Sequence, residues 1–283
     1  MEPSLPMTKL SMKSVPFFSS LRKPMFDLIF SFFIWFLAAY GPRTFGINPV
    51  QVGFFCNDES IRLPKLPEII SGDALYIYVF GLVCTCIIIV ELYCIIFVDS
   101  GSELVAGESG KSKFERFLLR TLTVFSYFMI AFVIVYISTS IAKKTTGRLR
   151  PKFLDICRPA IDIEACSTQP VYITEYQCSV KDEGVINDAR SSFFSGHSSF
   201  SMIAAAFSAL YVYARLSNAF YSQAVVPFIQ FGLLSSGTFI GWTRYVDHNH
   251  HWSDILIGQL VGAAIAYWIV TKVAKMFPTR KLV

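Results

Sequence analysis

Six stretches of this chain are apolar over close to the length a helix needs to cross a bilayer, about 20 residues. They run Met25–Tyr40, Ala74–Val98, Phe117–Ala142, Ser198–Arg215, Val225–Thr243 and Ser253–Thr271. The first is the shortest and has room to extend back to Val15. Hydrocarbon offers a backbone N–H or C=O no partner, so each stretch is predicted to be an α-helix. Composition agrees. Of 283 residues, 53% are hydrophobic and 16% charged, where soluble domains carry about 25% charged residues. Mean hydropathy is +0.50. The predicted fold is all-α, a polytopic membrane protein of six transmembrane helices. Its predicted parts are a cytosolic segment over 1–23, a membrane domain over 24–275 and a cytosolic tail over 276–283.

Six spans leave both termini on one side, and positive charge assigns that side to the cytosol. Lys9, Lys13, Arg22 and Lys23 precede the first span. Lys111, Lys113, Arg116 and Arg120 lie between the second and third, and Lys272, Lys275, Arg280 and Lys281 end the chain. Residues 1–23 hold no apolar stretch of signal length, so the first span is expected to remain as an anchor. The net charge of +5 does not point to nucleic acid, because the basic residues lie between apolar spans and form no continuous polar face. The loop from Lys143 to His197 breaks the charge rule, since it falls outside yet carries eight Lys and Arg residues. A local reason is that these cations bind an anion. Cys56, Cys157, Cys166 and Cys178 also fall in outer loops, where disulfides are permitted. Four cysteines allow three pairings, which spacing does not choose between. Cys84, Cys86 and Cys94 sit in the second span.

Three polar constellations border the membrane on the outer side. Lys143 to Pro151 follows the third span, Phe193 to Ser198 precedes the fourth, and Thr243 to Asp254 joins the fifth to the sixth. Topology collects them on one face. Lys143, Arg150 and Arg244 offer fixed positive charge to an anionic group. Ser195 and the backbone N–H groups at Gly196 and His197 begin a helix, where unpaired N–H groups favour an anion. All four histidines of the chain, His197, His248, His250 and His251, lie in these segments. His250 precedes Asp254 by four residues, a pairing suited to a nucleophile or base, with Ser253 as the expected helix cap. His197 is then left as the general acid for a departing alkoxide. Each patch also has a bland reading: headgroup anchoring for the basic residues, plain capping for Ser195–His197, and a metal or an ordinary polar loop for the histidine cluster. The set of three on one face favours phosphoryl transfer.

The motifs resemble those of the type 2 phosphatidate phosphatase superfamily, and within it the animal lipid phosphate phosphatases. Lys143 and Arg150-Pro151 match its first motif, Ser195-Gly196-His197 its second, and Arg244, His250 and Asp254 its third. Phe55-Cys56-Asn57-Asp58-Glu59-Ser60-Ile61 and His250-His251-Trp252-Ser253-Asp254 are similar to that subgroup as well, so the likeness covers about residues 25–272. Phe194 stands where the wider superfamily often has Pro, and Thr243 where it usually has Ser. The resemblance implies a site at the extracytoplasmic face, without metal or cofactor. His250 attacks phosphorus, Asp254 orients it and His197 protonates the leaving alcohol. Lys143, Arg150, Ser195, Gly196 and Arg244 hold the phosphate. Implied substrates are phosphatidate, lysophosphatidate, sphingosine 1-phosphate and ceramide 1-phosphate, and the implied location is the plasma membrane. Membrane lipids are the expected surroundings, nucleic acid is not an expected partner, and a homo-oligomer is left open. A headgroup transferase, a non-catalytic lipid-phosphate receptor and a sugar phosphatase are the rival readings.

Overall fold

The computed structural model describes residues 16–98, 110–160 and 171–277. Lys9, Lys13, Val15, Cys166, Arg280 and Lys281 lie outside the described residues. Among the described residues, six helices are long and apolar enough to cross a membrane. They are α1 (Phe17–Thr44), α2 (Gly72–Tyr93, extended by a wider turn over Cys94–Val98), α3 (Lys113–Thr146), α6 (Gly196–Leu216), α7 (Val225–Val246) and α8 (Trp252–Trp268, extended likewise over Ile269–Val273). Among the described residues, two short helices, α4 (Phe153–Cys157) and α5 (Glu183–Ala189), lie between α3 and α6. The all-α membrane fold read from the sequence is therefore the observed one.

Local chemistry sets several helix ends. The Ser71 hydroxyl accepts from the Ala74 N–H at 3.2 Å and starts α2. Ser112 and Glu115 cap α3 reciprocally, each side chain on the other's backbone N–H. Gly147 ends α3 with φ +58°. A Cβ there would fall 2.0 Å from the Val50 carbonyl oxygen, so glycine is required both for the left-handed turn and for the close approach. That turn sends Arg148 and Arg150 back over the bundle end. The expected cap Ser253 is corrected: α8 begins two residues earlier, with His251 at the cap position and Asp254 completing a capping box.

Helix α6 is the centre of the bundle, packed against α2, α3, α7 and α8. Its span is 78% buried, against 11% for α1. Small residues bring α8 close to it: a Cβ on Gly258 would lie 2.7 Å from the Ser195 carbonyl oxygen, and one on Gly262 2.5 Å from that of Ser199. This contact holds the start of α6 beside the start of α8, where the polar motifs lie.

Arg120, counted above among the topology charges, is fully buried 3.5 Å from Glu91. Glu91 also takes two bonds from Arg215, at 2.9 and 3.1 Å, and one from the Tyr211 hydroxyl. One carboxylate thus ties α2, α3 and α6 together. Beyond the helix ends, Phe54, Ile61, Leu149, Phe153, Leu154 and Tyr176 form a second small core. Antiparallel pairing of β1 (Phe54–Phe55) with β2 (Tyr172–Ile173) borders it. A Cys157–Cys178 disulfide closes part of this cap, and Cys56 is disulfide-bonded too.

Candidate functional site

The three motif segments meet where the cap sits on the bundle. The Ser192 N–H donates to the Arg148 carbonyl at 2.9 Å, and the Ser195 N–H to that of Asp254 at 3.1 Å. These bonds stitch the start of α6 to the segment after α3 on one side and to α8 on the other. The loop between α7 and α8 is tight. Both Asn249 and His250 donate their N–H to the Arg244 carbonyl at 3.1 Å, and His248 takes φ +57°, a conformation few non-glycine residues adopt.

His250 is 2% exposed. Its Nδ1 lies 2.7 Å from the Ser192 carbonyl oxygen. A carbonyl can only accept, so the ring proton sits on Nδ1 and Nε2 carries a free lone pair. Burial above all, then the nearby charges of Arg150 and Lys143, push the His250 pKa well below its ordinary 6.5. The ring is therefore neutral, and its lone pair is available, at neutral pH.

Asp254, fully buried, is 3.9 Å from His250 Nδ1, too far for a hydrogen bond. Its carboxylate is engaged elsewhere. Oδ2 accepts from the Ser192 hydroxyl at 2.6 Å and from the His251 N–H at 3.1 Å and lies 3.2 Å from the His251 ring Nδ1, and Oδ1 accepts from Arg148 at 2.6 Å. The aspartate acts on the Ser192 segment, whose carbonyl in turn holds the His250 ring.

The cations surround this histidine. Arg150 donates to the Asp188 carbonyl at 2.9 Å and to Asn249 Oδ1 at 2.7 Å. Lys152 also reaches Asn249 Oδ1, at 2.5 Å, and burial and the charge of Arg150 push its pKa down. Arg244, 1% exposed, pairs with Asp247 and stands 3.5 Å from His197 Nε2. Its buried Nε–H has no hydrogen-bond partner among the described residues. Lys143 closes the last turn of α3, and among the described residues its ammonium makes no ion pair. Ser195 caps α6, its hydroxyl 3.4 Å from the Ser198 N–H. Gly196 would admit a Cβ at ordinary contact distance from Phe200, 3.5 Å, so its neighbours do not by themselves demand glycine.

A cavity of about 530 Å³ opens beside His250 and is bounded by Arg148, His251 and the ends of α7 and α8. The fold thus brings together His250, His197, Asp254, Lys143, Arg150, Ser195, Gly196 and Arg244, the residues singled out in the sequence. It adds Ser192, Arg148, Lys152, Asp247 and Asn249, which no motif spacing flagged. Among the described residues, no group of three or more His, Cys, Asp or Glu side chains converges as metal ligands would.

Residues 122–277 match the family model of the PAP2 superfamily. A Caenorhabditis elegans protein named phospholipid phosphatase homolog 1.2 homolog is 36% identical over 236 residues, covering 82% of this chain and 68% of that protein. Phospholipid phosphatase 2 of Bos taurus is 35% identical, covering 84% of this chain and 78% of its own. Phospholipid phosphatase 2 of Homo sapiens is 33% identical, covering 82% and 76%. No solved structure matches the chain.

Proposed function

The chain belongs to the PAP2 superfamily, and from that premise we propose that it is an integral membrane lipid phosphatase working through a phosphohistidine. The observation that carries the proposal is His250: buried, neutral, its proton fixed on Nδ1 by the Ser192 carbonyl, and set among cations. A receptor for lipid phosphates needs the cations but not a neutral histidine with its lone pair free.

In the proposed reaction His250 Nε2 attacks phosphorus in line with the ester oxygen. The N–P bond forms as the P–O bond to the lipid alcohol breaks, and His197, which takes up a proton from solvent as the anionic phosphate binds among the cations, gives that proton to the departing alkoxide. Arg244, 3.5 Å from His197, and Lys143, Arg150 and the N–H groups at the start of α6 hold the phosphoryl oxygens. A water then gives a proton to His197 and attacks phosphorus. The N–P bond breaks, phosphate leaves and His250 is neutral again. No step draws on a metal. Phosphatidate, lysophosphatidate, sphingosine 1-phosphate and ceramide 1-phosphate are the proposed substrates. The site is proposed to face the extracytoplasmic side of the plasma membrane, with both termini cytosolic.

The test is phosphate release from phosphatidate in mixed micelles with excess chelator, comparing the native chain with His250→Ala. Release by the native chain alone supports the proposal. Release that chelator abolishes overturns the metal-free mechanism. No release from either protein, across several lipid phosphates, returns the receptor and transferase readings.

A further inference from the structure

We propose that the cavity beside His250 takes the apolar end of the substrate, and that a lipid phosphate reaches it sideways from the membrane, between the last turn of α7 and the first turn of α8. The inference rests on the phosphatase reading above.

The cavity lining mixes two kinds of side chain, Arg148 and His250 among the polar ones and Trp242, Tyr245, Val246 and Trp252 among the apolar ones. The apolar four are 59%, 47%, 45% and 68% exposed. That is a large apolar area beside a cluster of buried charge, and it suits a ligand with an anionic head and an apolar tail. The volume, about 530 Å³, lies within the range of small-molecule sites, about 300–1,000 Å³.

The apolar lining continues down the outside of the bundle. On α8 the exposed residues Trp252, Leu256 and Leu260 recur every four positions, and on α7 Phe239 lies three before Trp242. Residues three and four apart share a helix face. Both helices are long and apolar enough to span the membrane, so these faces meet lipid tails. Trp242 and Trp252 belong both to these faces and to the lining of the cavity that His250 borders, so a chain lying along the faces reaches the cavity there. A freely soluble phosphate ester would gain nothing from such a track. The acyl chain of a membrane lipid can follow it while its phosphate turns toward Arg148 and His250.

The competing account is that these aromatics are merely part of an interfacial belt, where Trp and Tyr are common. Full-length protein in phospholipid vesicles distinguishes the two. Dioleoyl phosphatidate is the substrate, and inorganic phosphate, which has no chain, is a competitive inhibitor. The double variant Trp242→Ala/Trp252→Ala is compared with Trp268→Ala, a half-exposed aromatic at the opposite end of α8. The double variant is expected to raise KM for dioleoyl phosphatidate about ten-fold while kcat and the Ki of inorganic phosphate hold. Unchanged KM, a parallel rise in Ki, or an equal rise in Trp268→Ala overturns the groove. A native chain that releases no phosphate overturns the phosphatase reading, and the groove with it.

Discussion

Asp254 meets His250 only at one remove: 3.9 Å separates the carboxylate from the ring nitrogen, and Ser192 bonds to both, its hydroxyl donating to Asp254 and its carbonyl accepting from His250. The pairing expected from the chain, a histidine four residues before an aspartate, is thus bridged in the fold by a third residue from another segment. Helix geometry explains the detour. Asp254 belongs to the first turn of α8 and accepts the backbone N–H of the cap residue His251, whereas His250 lies before the helix with its ring turned to the Ser192 carbonyl.

Ser192→Ala removes the hydroxyl that binds Asp254 and leaves the carbonyl that binds His250. It should lower kcat about ten-fold, the cost of one buried hydrogen bond, with little change in KM. Asp254→Asn should cost more, since it also breaks the Arg148 pair. Because the two residues act through one contact, the double variant should lose less than the product of the single losses. Independent, multiplying losses in kcat would sink the relay.

The second expectation concerns pH. A histidine whose pKa is depressed on folding keeps its neutral form as pH falls through 6.5, the ordinary value from which His250 is lowered. If His250 is the nucleophile, its protonation should not produce an acid limb of kcat/KM near that value. Arg150 and Lys143 are among the causes of the depression. Neutralising either, by Arg150→Gln or Lys143→Met, should raise the His250 pKa and shift the acid limb upward, toward 6.5. A limb that stays in place in both variants would refute the electrostatic account.

The spans were legible because apolar length is a strong signal and lipid leaves the backbone one solution. The catalytic candidates were legible because they cluster in three short segments at the span ends. The rest of the site was not. Ser192 and Asn249 are small polar residues in loops, unremarkable until the fold sets Ser192 against Asp254, 62 positions away, and Asn249 against Arg150 and Lys152, 99 and 97 positions away. Ser253 misled because a serine before an apolar run is a common cap, while the capping aspartate selected an earlier start. Arg120 shows a different limit: its place near a span end is legible as charge, but its burial against Glu91 emerges only in the fold.

Glu68 offers a third test. Its carboxylate stands 3.7 Å from the buried Arg244, one of the cations proposed to hold phosphate. An anion already beside that guanidinium opposes another one arriving. Glu68 is 44% exposed on its side chain, so the effect should be modest. Glu68→Gln should tighten the Ki of inorganic phosphate about three-fold, and the tightening should fade as salt is raised. A weaker Ki in the variant would mean that Glu68 positions Arg244 and does not compete for it.

At the far end of α6, the helix that carries His197, Tyr211 and Arg215 meet Glu91 of α2. Glu91 is fully buried and answers Arg120, Arg215 and Tyr211 at once. Removing one partner of a buried ion pair costs about 3–5 kcal/mol, because the remaining charge keeps its desolvation penalty without its counterion. Glu91→Ala leaves two guanidinium groups without the carboxylate they share, and it should lower the melting temperature in detergent by many degrees. Glu91→Gln keeps the shape and one acceptor for Tyr211 and should cost less than Ala. Neither change touches the phosphate cluster, so the KM of the protein that remains folded should match the native value. A shifted KM with unchanged melting would reverse the assignment and make the Glu91 cluster part of the catalytic machinery instead of the clamp on α2, α3 and α6.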